Sequence, residues 1–205
     1  MTRPLFIVFE GVDGCGKSTQ IKRLSDHLTS LGRTVCQTAE PTDSKTGKML
    51  REALSGADKR TPCEMAALFT LDRIHHNQAE NGILATLQSG ADVLSDRYYY
   101  SSLAYQGSLT DYEWVKQMNC ACPEIRKPDL CVFLDLSPKE ALGRIGKRGE
   151  PTEIYEKEES LTLFRQTFLH VFNTLPDNVA IIDASGSEEE VAQKVLAAVA
   201  PLLNA

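Results

Sequence analysis

Leu5-Phe6-Ile7-Val8-Phe9-Glu10 running into Gly11-Val12-Asp13-Gly14-Cys15-Gly16-Lys17-Ser18 decides how the rest of the chain is read. The first five residues are a continuous apolar run, which reads as a strand buried on both faces. The next eight fit G-x-x-x-x-G-K-[ST]. Ile21, Leu24, Leu28 and Leu31 then recur at helical spacing, and Gly32 is a natural stop. Strand, glycine-rich turn and amphipathic helix is the setting in which backbone N–H groups wrap around phosphate oxygens. Lys17 is placed for the β- and γ-phosphates, and the Ser18 hydroxyl for Mg²⁺. Gly11 to Thr19 is therefore the candidate ATP cradle, with Mg²⁺ as its cofactor. A plain glycine turn would not need the Lys-Ser pair.

Outward from this stretch, short β-branched or aromatic runs alternate with helical patterns. Strands are expected at Thr34–Thr38, around Asp92–Leu94, at Leu130–Leu134 and at Val179–Ile182. Thr61-Pro62-Cys63-Glu64 and Ser137-Pro138-Lys139-Glu140 have the form of capping boxes with proline at the first helical position. The first opens a helix through about His76. Another is expected from about Gln78 to near Gly90, and an Ala-rich one from about Glu188 to Leu203. Five apolar strands separated by helices imply an α/β fold, a five-stranded parallel sheet with helices on both faces. No Pro/Gly-rich linker divides the chain, so residues 1–205 are expected to form one domain.

Composition narrows the function classes. With 42% hydrophobic and 24% charged residues, 205 residues suffice for one core. A formal charge of −6 gives no basic field for nucleic acid or an anionic membrane. No apolar run approaches the ~20 residues of a spanning helix. Met1–Pro4 lead straight into the first strand, with no secretory signal in view. Of six cysteines only Cys120 and Cys122 are close-spaced. A zinc site would want a second pair, so reduced thiols and a cytoplasmic setting are the expectation.

Three further features lie outside the cradle. Asp96-Arg97 ends the third strand and should face the same crevice, because ligands gather at strand C-termini in open parallel sheets. A guanidinium there can grip a phosphate, and a carboxylate can hold Mg²⁺ through water; an ion pair capping the next helix is the plainer reading. Phe69 and Arg73 share a helix face and suit a planar base with a carbonyl, although core and surface duties would also account for them. Residues 147–153, charged and carrying Gly149 and Pro151, are either a solvated loop or a lid over an anionic ligand.

Taken together, these residues resemble the thymidylate kinases, a P-loop nucleoside-monophosphate kinase group. The resemblance spans the chain: the loop at 11–18, Glu40-Pro41, Phe69 and Arg73, Asp96-Arg97-Tyr98 with Ala104-Tyr105-Gln106-Gly107, Pro128-Asp129-Leu130, a short lid, and Asp183-Ala184-Ser185. Thr38–Asp43 departs from the Arg-Glu-Pro-Gly-Gly-Thr common in bacterial members and looks more like archaeal ones. The resemblance implies transfer of the γ-phosphoryl group of ATP to dTMP, giving dTDP for dTTP synthesis. It implies that Phe69 stacks on thymine and Arg73 meets its O4, with Glu40, Ser102 and Gln106 also on the acceptor side. Arg97 would hold the acceptor phosphate, Asp96 would support Mg²⁺ and the attacking group, and Asp13 would reach the deoxyribose 3′-hydroxyl. Tyr105 would fill the space of a 2′-hydroxyl, and Tyr155 would close over the nucleotide. Arg144 would lie against adenine, whose edge meets the backbone near Ala184 and Ser185. One branch of the family carries an arginine where this chain has Gly14, so Lys147 and Arg148 of the lid are expected to supply that charge. A homodimer is the family default. The alternatives are a deoxynucleoside kinase, with Glu40 as base, and a nucleotide-binding module without transfer.

Overall fold

The computed structural model describes residues 3–146 and 158–203. Five parallel strands, β1 (Phe6–Glu10), β2 (Val35–Ala39), β3 (Asp92–Asp96), β4 (Leu130–Asp135) and β5 (Val179–Asp183), form one sheet in the order β2-β3-β1-β4-β5. The expected α/β architecture is present. β1 lies at the centre, pairing Phe9 with Asp96 of β3 and Glu10 with Phe133 of β4. Every strand points the same way, so Glu10, Asp96, Asp135 and Asp183 end at one edge of the sheet.

Alternation along β1 divides the core. Ile7 and Phe9 face one side with Leu24 and Leu28 of α1 (Lys17–Ser30) and Val191, Val195 and Val199 of α9 (Glu188–Leu203). Phe6 and Val8 face the other with Tyr98–Tyr100, Leu103, Phe133, Phe164 and Phe168. Each such fully buried side chain contributes about 1.5–3 kcal/mol. α5 (Tyr99–Tyr105) and α8 (Glu158–Thr174) build this second layer, and α2 (Lys45–Leu54) packs on α3 (Pro62–Gln78) beside it.

The Thr61 capping box is complete: the Glu64 amide donates to Thr61 Oγ1 at 3.2 Å, and Glu64 Oε2 accepts the Thr61 amide at 2.7 Å. At Ser137 only the forward half forms, because its hydroxyl itself donates to Glu140 Oε2 at 2.5 Å. That cap opens α7 (Pro138–Ile145). The helix expected from Gln78 is shorter. α3 runs through Gln78, a turn follows at Ala79–Gly82, and α4 covers only Ile83–Gln88. The Gly82 amide turns back onto the Ala79 carbonyl at 2.8 Å, which ends one helix before the next begins. α6 (Tyr112–Cys120) completes the set named here. No helix among the described residues is long and apolar enough to cross a membrane.

Candidate active site

The loop after β1 turns through three positive-φ glycines, Gly11, Gly14 and Gly16, and Gly16 is the N-cap of α1. That cap has no side-chain bond, which leaves the helix N-terminus to face a ligand. Lys17 Nζ, 7% exposed, folds back on the Gly11 carbonyl at 3.2 Å. It also stands 3.8 Å from Asp13 Oδ1 and 3.9 Å from Asp96 Oδ1. The Ser18 hydroxyl donates to Asp96 Oδ2 at 3.3 Å. Asp96 Oδ1 is buried and has no hydrogen-bond partner among the described residues. A hydroxyl oxygen beside an unsatisfied carboxylate oxygen, at the mouth of a phosphate loop, fits a hard cation such as Mg²⁺.

Beside this cradle lies a cavity of about 210 Å³ walled by Asp13, Phe69, Arg97, Tyr105 and Gln106 of the expected acceptor set. Arg97 takes the left-handed conformation, φ 69°, the one non-glycine to do so among the described residues. Such a backbone costs of order 1–3 kcal/mol and persists only where neighbours hold it. Its guanidinium donates to Asp13 Oδ1 at 2.5 Å, Ser101 Oγ at 3.0 Å and the Tyr105 hydroxyl at 3.3 Å, and its Cζ lies 5.3 Å from the Tyr105 ring centroid. Burial pushes the Tyr105 phenol up to about 12, against the pull of Arg97, so it is a neutral donor and wall. Phe164 backs that ring at 4.3 Å.

Glu40, Arg73 and Ser102 stand behind the cavity wall in a buried network. Arg73 donates from Nε and Nη2 to Glu40 Oε2 at 2.9 and 2.6 Å, and from Nη1 to Ser102 Oγ at 3.1 Å and to Asn119 Oδ1. Glu40 Oε1 bonds His76 Nδ1 at 3.0 Å, and His76 Nε2 bonds Thr38 Oγ1 at 2.7 Å. Arg73 is thus neither a surface charge nor a wall of the cavity, while Phe69, one turn earlier, is a wall. The second Nη2 N–H of Arg73 is the donor these bonds do not use.

A second cavity, about 400 Å³, opens on the other side of the loop, with Gly14, Cys15, Gly16, Thr19, Arg144 and Ala184 among its walls. Arg144 Nη1 donates to the Cys15 carbonyl at 3.4 Å and Nη2 to the Ala184 carbonyl at 3.0 Å. Ser185 lies outside these walls, its amide and hydroxyl both donating to Asp183 Oδ1. Lys147, Arg148 and Tyr155 lie outside the described residues.

Two polar walls of the acceptor cavity escape a sequence reading. Arg51 of α2 joins the acceptor cavity, with Nη1 on the Pro41 carbonyl at 3.0 Å and Nη2 on Asp43 Oδ1 at 3.1 Å. The signal for its helix was present in Ser44 as N-cap and in Leu50, Ala53 and Leu54 at helical spacing. Ser101, three residues into the Asp96 motif's helix, is the other.

This fold and cradle define a P-loop nucleotide-binding protein, with one cavity on either side of the phosphate loop. The thymidylate kinase family model matches residues 9–195. A probable thymidylate kinase of Pyrococcus horikoshii is 38% identical over 203 residues, 96% of either chain. One from Thermococcus kodakarensis is 36% identical over 209 residues, and a thymidylate kinase of Leptospira interrogans 36% over 195, covering 95% of this chain and 93% of that one. The chain belongs to the thymidylate kinase family.

Proposed function

We propose that the chain transfers the γ-phosphoryl group of ATP to dTMP, giving ADP and dTDP for dTTP synthesis. The observation that carries this is Arg97, a wall of the acceptor cavity whose guanidinium is held by Asp13 of the phosphate loop. Arg97 and Arg51 hold the acceptor phosphate, one of whose oxygens attacks the γ-phosphorus as the bond to the β–γ bridging oxygen breaks. That oxygen is already a competent nucleophile, so alignment and charge neutralisation suffice and no strong base is required. Lys17 and the loop amides hold the donor phosphates. Ser18, and Asp96 through water, would hold Mg²⁺, which when bound neutralises charge on the β- and γ-phosphates. Arg144 and the Ala184 backbone border the donor base, with Ser185 nearby. Tyr105 fills the space beside the sugar and favours deoxyribose. Phe69 stacks on thymine, and Arg73, behind the cavity wall, is assigned to thymine O4 through its unused N–H, which requires the bound base to reach past that wall. Lys147, Arg148 and Tyr155 act from the segment after α7.

The enzyme is proposed to work as a homodimer in the cytoplasm. Exposed apolar Met49 and Leu71, on the adjoining α2 and α3, support the first, and free cysteines the second. The experiment for the substrate is discrimination at the base. Arg73 donates only, so it matches a carbonyl and meets the cytosine amino group donor to donor. dTMP should exceed dCMP roughly 10²-fold or more in kcat/KM. Equal turnover of the two would end the thymine assignment.

A further inference from the structure

We propose that Glu10 is a positioning residue for the acceptor site, its carboxylate fixing the turn and the hydroxyl that aim Arg97. This rests on Arg97 being the acceptor-phosphate ligand. Glu10 is the last residue of β1 and fully buried, where Phe6 to Phe9 before it are all apolar. A buried carboxylate is costly unless its oxygens are bonded, so an apolar residue would serve the core better. Burial pushes its carboxyl up to about 7, with Arg97 pulling the other way.

Its bonds all run to one place. Oε1 accepts the amides of Tyr98 at 2.8 Å and Ser101 at 3.1 Å, and Oε2 accepts the Ser101 hydroxyl at 2.7 Å. α5 has no side-chain cap of its own at Tyr98, so Glu10 satisfies the N–H groups at its start from another element. The Arg97 amide, meanwhile, donates to the Phe9 carbonyl at 2.9 Å. The end of β1 therefore pins the left-handed Arg97 on both sides. The Ser101 hydroxyl, its O–H donated to Glu10 Oε2, presents only lone pairs to Arg97 Nη1 at 3.0 Å. Glu10 thus sets the polarity of that hydroxyl and, through it, the direction of the guanidinium.

Glu10→Gln tests this. Its amide oxygen still caps Tyr98 and Ser101, but its NH₂ donates where Oε2 accepted. The Ser101 proton is then turned toward a guanidinium that itself only donates. Ser101→Ala breaks the same relay from the other end, leaving the two backbone bonds of Glu10 in place. Each variant should raise KM for dTMP about tenfold, the size of one charge-assisted hydrogen bond. KM for Mg-ATP should stay within about twofold, and the double variant should be no worse than either single one. A merely structural Glu10 would lower the melting temperature and leave the ratio of the two KM values alone. Should Glu10→Gln fail to fold, Ser101→Ala decides. A folded Ser101→Ala enzyme with wild-type KM for dTMP overturns the proposal. A wild-type enzyme that leaves dTMP untouched fails the acceptor reading itself, and the proposal with it.

Discussion

The double substitution Lys147→Ala/Arg148→Ala is expected to lower kcat roughly 10³-fold at saturating ATP and dTMP, with a small effect on either KM. The argument starts at Gly14. Its φ is +81°, and a Cβ there would sit 2.6 Å from the Ala141 carbonyl and 3.1 Å from Ile145 Cγ1. α7 packs directly onto the loop, and no arginine at position 14 can be built without moving it. The cations nearby already have partners: Arg97 on Asp13, Arg144 on the Cys15 and Ala184 carbonyls, Lys17 on the Gly11 carbonyl. Charge that develops only in the transition state must then be met from elsewhere, and α7, whose residues lie against Gly14, leads straight to Lys147 and Arg148. Arg148 is the first choice because its planar fork can bond two phosphate oxygens at once. Steady-state kinetics of both Arg148→Ala and the double variant check this. If each keeps a near-normal kcat, the lid-cation account is withdrawn.

Lys17→Ala should lower kcat/KM roughly 10²–10³-fold, the usual consequence of removing one preorganised charge partner from a phosphate site. A stability cost accompanies it. Lys17 lies within 4 Å of both Asp13 and Asp96, and removing it takes a counter-charge from each, while Arg97 stays bonded to Asp13. A melting curve with and without Mg-ATP separates the two effects, since lost affinity for ATP removes the stabilisation that ligand provides. Lys17→Arg should not rescue, because a guanidinium fork does not fit where a single Nζ packs against the Gly11 carbonyl. Activity of Lys17→Ala within tenfold of wild type would contradict the assigned cradle.

The parts legible in the sequence were those set by local pattern. β1 and β4 are buried on both faces and read as unbroken apolar runs, and the glycines of the loop announce its geometry. α9 showed its apolar stripe and α3 its capping box. Phe69 and Arg73, four apart, did lie on one helix. What spacing did not reveal is that Arg73 turns inward, because its partners Glu40, Ser102 and Asn119 are 33, 29 and 46 residues away. Glu10 stayed silent for the same reason: its partners lie 88 and 91 residues along the chain. α2, and Arg51 with it, sits in a short polar stretch with Gly47 inside. It is held from outside by Asp72, whose Oδ1 accepts the hydroxyls of Thr42, Ser44 and Thr46. Long-range polar pairing leaves no period for a sequence to show.

A deoxynucleoside kinase built on this fold would phosphorylate an uncharged 5′-hydroxyl and would need a free carboxylate near it as base. Glu40 is the candidate, yet both its oxygens are taken, by Arg73 and His76, and it stands behind the cavity wall. Arg97 and Arg51 in that wall suit an anion instead. The most direct measurement is therefore the initial rate of ADP release from Mg-ATP with dTMP or with thymidine as acceptor, the products identified by phosphorus NMR. The account predicts rapid ADP release with dTMP, with dTDP as the product, and thymidine no better than buffer. Faster transfer to thymidine, or ATP binding with no transfer to either, would contradict it.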